Sequence, residues 1–285
     1  MTNTTQRLLL FFAGVPALIV AIIFLPGFHH AAVSLVFIIT SGGASWELAT
    51  LLQAKGFPVR KRLSALTGTL IPLVFWASTW MPHLILPGRS ILLGTACLLL
   101  FILTPFAFAR TDAIDRLMPE VMGLVFVILY PGLLAGYMVL IAASFPHSVV
   151  ALLTFIAMTI GNDSLAWVFG VTMGKTRNIV AVSPNKSAAG FIGGLIGSVG
   201  LALAISMLAP AYFQVHPLAI AAMGLVVGCA AIVGDLFESA LKRSAGVKDS
   251  GTMVPGRGGF LDSIDSLLFA APAFYGMSLL FQLFQ

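Results

Sequence analysis

The sequence predicts an all-α integral membrane protein with about nine transmembrane helices, and three observations support this fold class. Hydrophobic residues make up 59% of the 285-residue chain and charged residues only 9%, whereas soluble domains carry about 25% charged residues. The mean hydropathy is +1.04, so lipid is the solvent that suits most of the surface. Apolar stretches of about 20 residues, the length that crosses a bilayer, recur along the chain.

Nine apolar segments are long enough to span a bilayer, and they leave no room for a separate soluble domain. We therefore predict a single polytopic membrane domain over 1–285. The first segment is expected to be a retained helix, because no convincing small-residue cleavage site of a signal peptide follows it. The nine predicted spans are 8–26, 31–52, 63–82, 90–109, 120–144, 148–171, 188–210, 215–236 and 265–284.

The basic residues predict the orientation of these spans. With the N-terminus inside, 14 of the 15 Lys and Arg residues fall on the inner side and only Arg89 falls outside. This excess follows the positive-inside rule, so we expect a cytoplasmic N-terminus and an outer C-terminus. The acidic residues also lie toward the inner side, which that rule does not require, and we infer that the inner face carries a polar site. The histidines are interpreted as interfacial residues of outer connections: His29, His30, His83, His147 and His216.

Some polar and small residues within the spans have structural interpretations. Cys97 and Cys229 are interpreted as buried small apolar residues that form no disulfide. Glu47, at the inner end of the second span, is either a boundary residue that reaches the interface or part of the site. Four glycines of the seventh span indicate close helix packing: Gly190, Gly193, Gly194 and Gly197.

Charged residues concentrate at the end of the eighth predicted span and the start of the ninth. If the eighth span continues as a helix, Asp235, Glu238 and Lys242 are spaced i, i+3 and i+7 and share one face. Asp262 and Asp265 are three residues apart and can share another face. Carboxylates gathered at one membrane surface repel each other unless a cation lies among them, and hard oxygen ligands suit Mg²⁺. A loop held only by local ion pairs is the alternative interpretation.

A glycine-rich turn over 255–259 separates these two groups of acids. Backbone N–H groups in such a turn can approach a phosphate closely, because glycine has no side chain. The nearby basic residues supply the complementary charge for phosphate oxygens: Lys242, Arg243, Lys248 and Arg257.

This segment resembles the signature of the phosphatidate cytidylyltransferase (CDP-diacylglycerol synthase) family. The signature runs S-x-apolar-K-R-x4-K-D, a small residue, then P-x-H-G-G-apolar-x-D-R-apolar-D. Arg257 stands where the family often has His, and Ser263 where it often has Arg, whose role would pass to another base such as Arg257. The residues that match in register are Ser239, Lys242, Arg243, Lys248, Asp249, Gly251, Pro255, Gly258, Gly259, Phe260, Asp262, Ile264 and Asp265.

A second segment resembles the same family more weakly. Family members carry D-[ST]-x-A-aromatic, then G-K or G-R, then S-P-K-K-T-x-E-G. Asn185, Ser187 and Ala189 depart from this pattern, and the pair Trp46-Glu47 resembles an aromatic-acid pair in the family's second span. An acid within a span is also a functional candidate on physical grounds alone. The matching residues are Asp163, Ser164, Ala166, Trp167, Gly174, Lys175, Ser183, Pro184, Lys186 and Gly190.

The resemblance implies that CTP and phosphatidate react to give CDP-diacylglycerol and pyrophosphate. Asp235, Asp262 and Asp265 are expected to hold Mg²⁺, with a second cation left open, and to form the catalytic group together with Lys242. The expected substrate-binding residues are Asp163, Lys175, Ser183, Lys186, Ser239, Arg243, Lys248, Asp249, Arg257, Gly258 and Gly259.

The resemblance and the orientation together predict the setting of the reaction. We expect a multi-pass protein of the inner (plasma) membrane whose active site faces the cytoplasm. Within its single domain, 1–110 would supply the N-terminal spans and 120–285 the catalytic spans. CTP and membrane phosphatidate are the expected partners, no nucleic acid is expected, and a homodimer is left open.

Two alternatives to this function remain at this stage. The first is a CTP-dependent kinase or cytidylyltransferase that acts on a polyprenol, prenyl or ether lipid, for which the departures from the signature leave room. The second is a transporter with Asp163 and Asp235 on its ion path. A transporter needs polar groups on a route from both sides, and no acid lies in the outer half of any predicted span.

Overall fold

The computed structural model describes residues 10–80 and 114–285, and these residues form helices and connections without a β-sheet. A short π-helical turn over Leu10–Gly14 leads into the first helix. The helices are α1 (Val15–Phe24), α2 (Gly27–Ala54), α3 (Lys61–Ser78), α4 (Ile114–Ala143), α5 (Ser148–Thr172), α6 (Ala188–Leu208), α7 (Pro217–Ser244) and α8 (Phe260–Leu280).

Six of these helices are long and apolar enough to cross a membrane, namely α2 and α4 to α8. The protein is therefore an all-α integral membrane protein, as predicted. The first predicted span corresponds to the shorter apolar helix Phe12–Phe24, and α3 occupies the third without meeting the same criterion. The fourth predicted span, 90–109, lies outside the described residues. The number nine and the orientation of the termini stay predictions.

The last two helices extend beyond the predicted spans at their inner ends. Helix α7 runs to Ser244, beyond the predicted end at 236, and α8 begins at Phe260, ahead of the predicted start at 265. Lys242 can stay on α7 because it lies between the carboxylates of Glu238 and Asp262, at 2.5 Å from each. Only 245–259 is left as the connection, so most of the signature residues are placed on rigid helices.

Close backbone approaches bring the helices that carry the acids together. A Cβ atom added to Gly197 of α6 would lie 2.6 Å from the Gly161 carbonyl oxygen of α5, which confirms the predicted glycine packing. In the same way, a Cβ on Gly234 of α7 would lie 2.5 Å from the Asp265 carbonyl oxygen of α8. The absence of a side chain at Gly234 therefore lets Asp235 approach Asp265.

Three aromatic rings hold α4, α7 and α8 together next to this contact. The Tyr130 and Phe237 ring centroids are 5.1 Å apart, those of Phe237 and Phe269 are 5.3 Å apart, and those of Tyr130 and Phe269 are 5.8 Å apart. Edge-to-face and tilted pairs at such separations add to the energy of area burial. Tyr130 lies in a π-helical turn, Ile128–Leu133, that contains Pro131.

The structure also shows the burial of Cys229 and the positions of four histidines relative to the helices. Cys229 is free, but it is exposed on α7 and not buried as predicted, because it lies on the face that no described helix covers. His147 and His216 directly precede α5 and α7, whereas His29 and His30 lie in the first turn of α2. Cys97 and His83 lie outside the described residues.

Candidate active site

The two signature segments meet at an ion pair between α7 and the connection that precedes α6. The Lys186 ammonium group contacts the Asp235 carboxylate, and it also lies 5.9 Å from the centroid of the Phe191 ring. The connection ends at Ser187, whose hydroxyl accepts a hydrogen bond from Gly190 N at 3.1 Å and caps α6. This cap fixes the residue next to Lys186 and so holds its side chain toward α7.

A second ion-pair group links α7 to α8. Lys242 Nζ lies 2.5 Å from Glu238 Oε2, one helical turn earlier, and 2.5 Å from Asp262 Oδ1. The Glu238 side chain is fully buried, so Lys242 supplies the positive charge that this carboxylate needs away from water. The spacing of Glu238 and Lys242 had predicted that they share a face of α7, and the structure confirms it.

Asp262 is surrounded by donors from the signature loop, the connection 245–259 between α7 and α8. Its Oδ2 atom accepts hydrogen bonds from Gly259 N at 2.7 Å, from Ser250 N at 2.9 Å and from the Ser250 hydroxyl at 2.9 Å. A Cβ on Gly258, where φ is +106°, would lie 2.6 Å from the same oxygen, so the turn needs glycine at this position. Both oxygens of the carboxylate are therefore already engaged, Oδ2 by the loop and Oδ1 by Lys242.

Glu47 of α2 reaches the same loop from the N-terminal part of the chain. Its side chain is buried at 2% exposure and accepts hydrogen bonds from Phe260 N at 3.0 Å and from Leu261 N at 2.9 Å. The Ser250 hydroxyl lies 2.9 Å from Glu47 Oε2 and 2.9 Å from Asp262 Oδ2, and so bridges the two carboxylates. Of the two interpretations of Glu47, the structure favours membership of the site.

Two cavities adjoin these groups and share Asp163 and Asp235 in their walls. The first, of about 360 Å³, lies between α5, α6 and α7 and also contains Arg177 and Lys186. Its lining is polar near these charges and apolar elsewhere, with Trp167, Val171 and Phe191.

The second cavity, of about 410 Å³, lies between α1, α5 and α8. Its charged lining residues are Asp163, Asp235, Arg257, Asp262 and Asp265. Asp163, Asp235 and Asp265 are close enough for their charges to interact, and Arg257 and Lys186 act on Asp163 with the opposite sign. The lining of this cavity therefore gathers four carboxyl groups beside one guanidinium group, that of Arg257.

The donor chemistry of this cavity suits a hard divalent cation. Mg²⁺ is usually bound through one or two carboxylates together with waters and substrate phosphates, and Asp163, Asp235 and Asp265 supply carboxylates that repel one another. Among residues 10–80 and 114–285, no three His, Cys, Asp or Glu side chains already form a metal-holding group. Asp262, predicted as a ligand, would have to exchange donors of the loop or Lys242 for the metal.

The remaining predicted residues lie apart from both cavities. Lys175 and Ser183 belong to the connection between α5 and α6, whereas Ser239 and Arg243 lie on α7. Lys248 and Asp249 are exposed in the signature loop. Their predicted contacts with substrate stay predictions.

Sequence reasoning did not commit to several residues that the structure places at the site. Ser250 bridges two carboxylates, and Asn162 is buried in the wall of the first cavity, where its Nδ2 donates to Gly228 O at 3.3 Å. Arg177 and Asn185 line the same cavity. A signal existed for Ser250 and Asn185, because each lies within a matched signature segment. The spacing of Asn162 and Arg177 gives no indication of where their side chains point.

Comparison with known proteins supports the resemblance on which these expectations rest. A sequence model of the cytidylyltransferase family matches residues 5–281. The chain belongs to the cytidylyltransferase family. This result confirms the family predicted from the two signature segments.

Individual relatives carry names consistent with this family. A phosphatidate cytidylyltransferase of Staphylococcus haemolyticus is 33% identical over 79% of this chain and 82% of its own length. One of Synechocystis is 37% identical over 46% of this chain, and the Escherichia coli protein named "Uncharacterized protein YnbB" is 38% identical over 43% of it. The chain covers 44% and 40% of the length of these last two proteins.

Proposed function

We propose that the protein transfers a cytidylyl group from CTP to phosphatidate and forms CDP-diacylglycerol and pyrophosphate. Family membership and the names of the relatives support this reaction. The observation that carries it is that the acidic cavity adjoins an apolar groove. The groove, of about 550 Å³, shares Val15, Ile156, Ile160 and Ser164 with that cavity.

This combination suits a lipid with a charged headgroup. From the shared residues the groove runs along α5 and α6 past Leu153, Leu201 and Ile205, and its lining is almost wholly apolar. Leu153 lies ten residues before Asp163 on α5, which is about 15 Å along the helix axis. A phosphate next to Asp163 and an acyl chain in the groove can therefore belong to one molecule, which lipid phosphates provide and soluble metabolites do not.

In the proposed reaction, a phosphate oxygen of phosphatidate forms a bond to the α-phosphorus of CTP. The bond from that phosphorus to the oxygen bridging to the β-phosphate breaks, and pyrophosphate leaves with the electron pair. A lipid phosphate needs no general base near neutral pH. The main task of the protein is then to reduce the repulsion between two phosphate-bearing substrates and to align them.

The cationic residues at the cavities would perform this task. Lys186 and Arg177 line the first cavity and Arg257 the second, so phosphates in either one would meet positive charge. Lys242 is held by Glu238 and Asp262 at a fixed place beside them. We propose that Mg²⁺, when bound by Asp235 and Asp265 with Asp262 as the predicted further ligand, would neutralise phosphate oxygens and the leaving pyrophosphate; a second cation is left open.

The proposed setting is the cytoplasmic face of the inner (plasma) membrane. The ion pairs and both cavities lie at the end of the bundle that carries the basic connections, which the positive-inside rule assigns to the cytoplasm. CTP is found there, and the lipid reaches the same end from the bilayer. A homodimer stays open, as it was from the sequence.

Isotope position in CTP gives the decisive test. Purified protein in detergent is incubated with phosphatidate and CTP labelled at either the α- or the γ-phosphate. We expect a labelled lipid that comigrates with CDP-diacylglycerol from α-labelled CTP alone, and labelled pyrophosphate from γ-labelled CTP. Label from γ-labelled CTP in a lipid would instead identify a kinase. Conversion of a polyprenyl phosphate but not of phosphatidate would support the alternative lipid substrate that Arg257 and Ser263 leave open.

A further inference from the structure

Glu47 occupies an unusual place for a buried acid, because its hydrogen-bond partners come from the signature loop and the first turn of α8, more than 200 residues away in the sequence. The Ser250 hydroxyl contacts it across 203 positions, and Leu261 N donates to it across 214. The loop is packed closely around the carboxylate. A Cβ atom on Gly259 would lie 2.2 Å from Glu47 Oε2, and one on Gly251 would lie 2.4 Å from Glu47 Oε1.

The chemistry of a helix N-terminus explains why an acid is needed here. The first N–H groups of a helix have no partner within the helix, and a side chain of the N-cap residue usually satisfies one of them. The N-cap of α8 is Gly259, which has no side chain. Glu47 accepts from Phe260 N and Leu261 N instead, so α2 caps α8. A negative charge is also favoured at this end of the helix dipole.

A continuous chain of polar contacts leads from this cap to the proposed reaction site. Glu47 contacts the Ser250 hydroxyl, which contacts Asp262 Oδ2, and Asp262 Oδ1 contacts Lys242. Glu47 lines neither of the two cavities, whereas Asp262 lines the second. Glu47 can therefore influence the site through the position of these groups, without contact with a substrate.

We infer that Glu47 is a positioning residue: it fixes the signature loop and the start of α8 so that Asp262 and Lys242 are aligned for cytidylyl transfer. This inference rests on the proposed function for its catalytic part. The cap itself does not depend on that function, so the two parts can be tested separately.

The variant Glu47→Gln keeps the shape of the side chain but replaces one acceptor oxygen with an amide group that cannot accept. At least one of the donors from the loop then loses its partner. A misplacement of about 1 Å can cost roughly a hundredfold in rate. We expect Glu47→Gln to lower kcat roughly 30-fold while KM for CTP changes less than about threefold, and Glu47→Asp to retain more activity than Gln. Glu120→Gln, which alters an acid paired with Arg60 at 2.8 Å, is the matched control and should behave as wild type.

A double-mutant cycle separates positioning from a general loss of stability. Ser250→Ala removes the bridge between Glu47 and Asp262 without removing a buried charge. Because both variants act through one chain of contacts, their effects on kcat should be non-additive, and the double variant should be about as slow as Glu47→Gln alone. Effects that multiply, or a Glu47→Gln enzyme with unchanged kcat, would overturn the positioning role.

Hydrogen exchange tests the cap without reference to activity. The Phe260 and Leu261 amides should exchange slowly in the wild type and at least tenfold faster in Glu47→Gln, with the amides in the middle of α6 unchanged. If these two amides exchange equally in both proteins, Glu47 does not cap α8 and the inference is wrong. Failure of the wild type to form CDP-diacylglycerol, with the expected exchange pattern, would refute the proposed function and the catalytic part but leave the cap in place.

Discussion

Lys186 and Asp235 form an ion pair that joins the two signature segments across 49 positions of sequence. The side chains are 25% and 35% exposed, so both remain accessible from the first cavity, whose wall they share. A pair of this kind can open toward a phosphate, which would bind the lysine and leave the carboxylate free for a cation.

The first prediction concerns this ion pair. Lys186→Met removes the cation and leaves Asp235 uncompensated near Asp163 and Asp265, so we expect activity to fall on the order of a hundredfold. Lys186→Arg keeps the charge and should retain a measurable part of the activity. Initial rates at saturating CTP and phosphatidate provide the measurement, with Lys61→Gln on α3 as a control that should match wild type. A fully active Lys186→Met would place the lysine outside the reaction.

Asp262→Asn tests whether this residue binds metal or holds the loop. We expect a loss of activity on the order of a hundredfold or more, with membrane insertion intact, because either role needs the full negative charge. The Mg²⁺ concentration for half-maximal activity distinguishes the roles. This concentration should rise at least tenfold if Asp262 binds the metal. If Asp262 mainly orients Lys242, the concentration should stay unchanged, and Lys242→Met should lose a comparable amount of activity. An Asp262→Asn enzyme as active as wild type would contradict both.

Arg257 is the third residue for which we predict an outcome, because it departs from the family signature. Arg is protonated at any accessible pH and cannot act as a base, but it can bind a phosphate through two parallel donors. We expect Arg257→Ala to raise KM for a phosphate substrate about tenfold or more and Arg257→Lys to raise it less. The double variant Arg257→His with Ser263→Arg should stay active, because it restores the usual family pair. Wild-type kinetics in Arg257→Ala would mean that Arg257 binds no phosphate substrate and contributes only to the orientation of the protein in the membrane.

The apolar groove predicts a selectivity for acyl chains. Ala157→Phe places a ring in the groove, so the ratio of kcat/KM for dioleoyl over dioctanoyl phosphatidate should fall about tenfold. Each buried methylene group contributes about 0.8 kcal/mol, so loss of contact with only two of them accounts for this change. Ala204→Phe, the same substitution at an exposed position of α6 outside the groove, should leave the ratio unchanged. An unchanged ratio in Ala157→Phe would mean that the chains lie elsewhere.

The orientation of the protein can be checked with single cysteines in a variant that lacks Cys97 and Cys229. Thr252 is exposed in the signature loop, and Gln214 is exposed in the connection between α6 and α7. A membrane-impermeant maleimide added to intact cells should label Gln214→Cys at once and Thr252→Cys only after permeabilisation. The reverse pattern would place the site on the outer face. Ser250, a natural choice from the sequence, is unsuitable because it is buried between two carboxylates.

Composition predicted the all-α membrane fold class and motif register predicted the family, since hydropathy and local spacing are properties of the sequence itself. The roles of the predicted site residues stay predictions. The spacing of Glu238 and Lys242 predicted a shared helix face, and the two residues form an ion pair. The extension of α7 to Ser244 could be stated from the sequence only as a condition, because charged residues follow the predicted end of the span at 236. Here a carboxylate from a different helix, Asp262, stabilises the Lys242 charge, and that contact is not a property of either segment alone.

The roles of Asp262 and Glu47 show a second limit of sequence reasoning. The signature indicated that Asp262 belongs to the site, but its donors from Ser250 and Gly259 depend on the backbone conformation of the turn. The sequence left two alternatives for Glu47, a boundary residue or a member of the site. Its hydrogen-bond partners lie more than 200 positions later in the chain, so local spacing does not reveal them. Long-range contacts of this kind decide what a residue does once its type and depth in the membrane are known.

The pairing of Glu47 with a distant loop also has a consequence for biosynthesis. Glu47 enters the membrane with α2, and the Ser250 hydroxyl that it will bind is encoded 203 codons later. At a synthesis rate of about 5–20 residues per second, the ribosome needs roughly 10–40 s to reach it. During this interval the nascent chain holds an acidic side chain in the bilayer without its final donors, so water, lipid headgroups or the insertion machinery must accommodate it. Synthesis of the signature loop and the start of α8 would then complete this pairing and join α2 to α8.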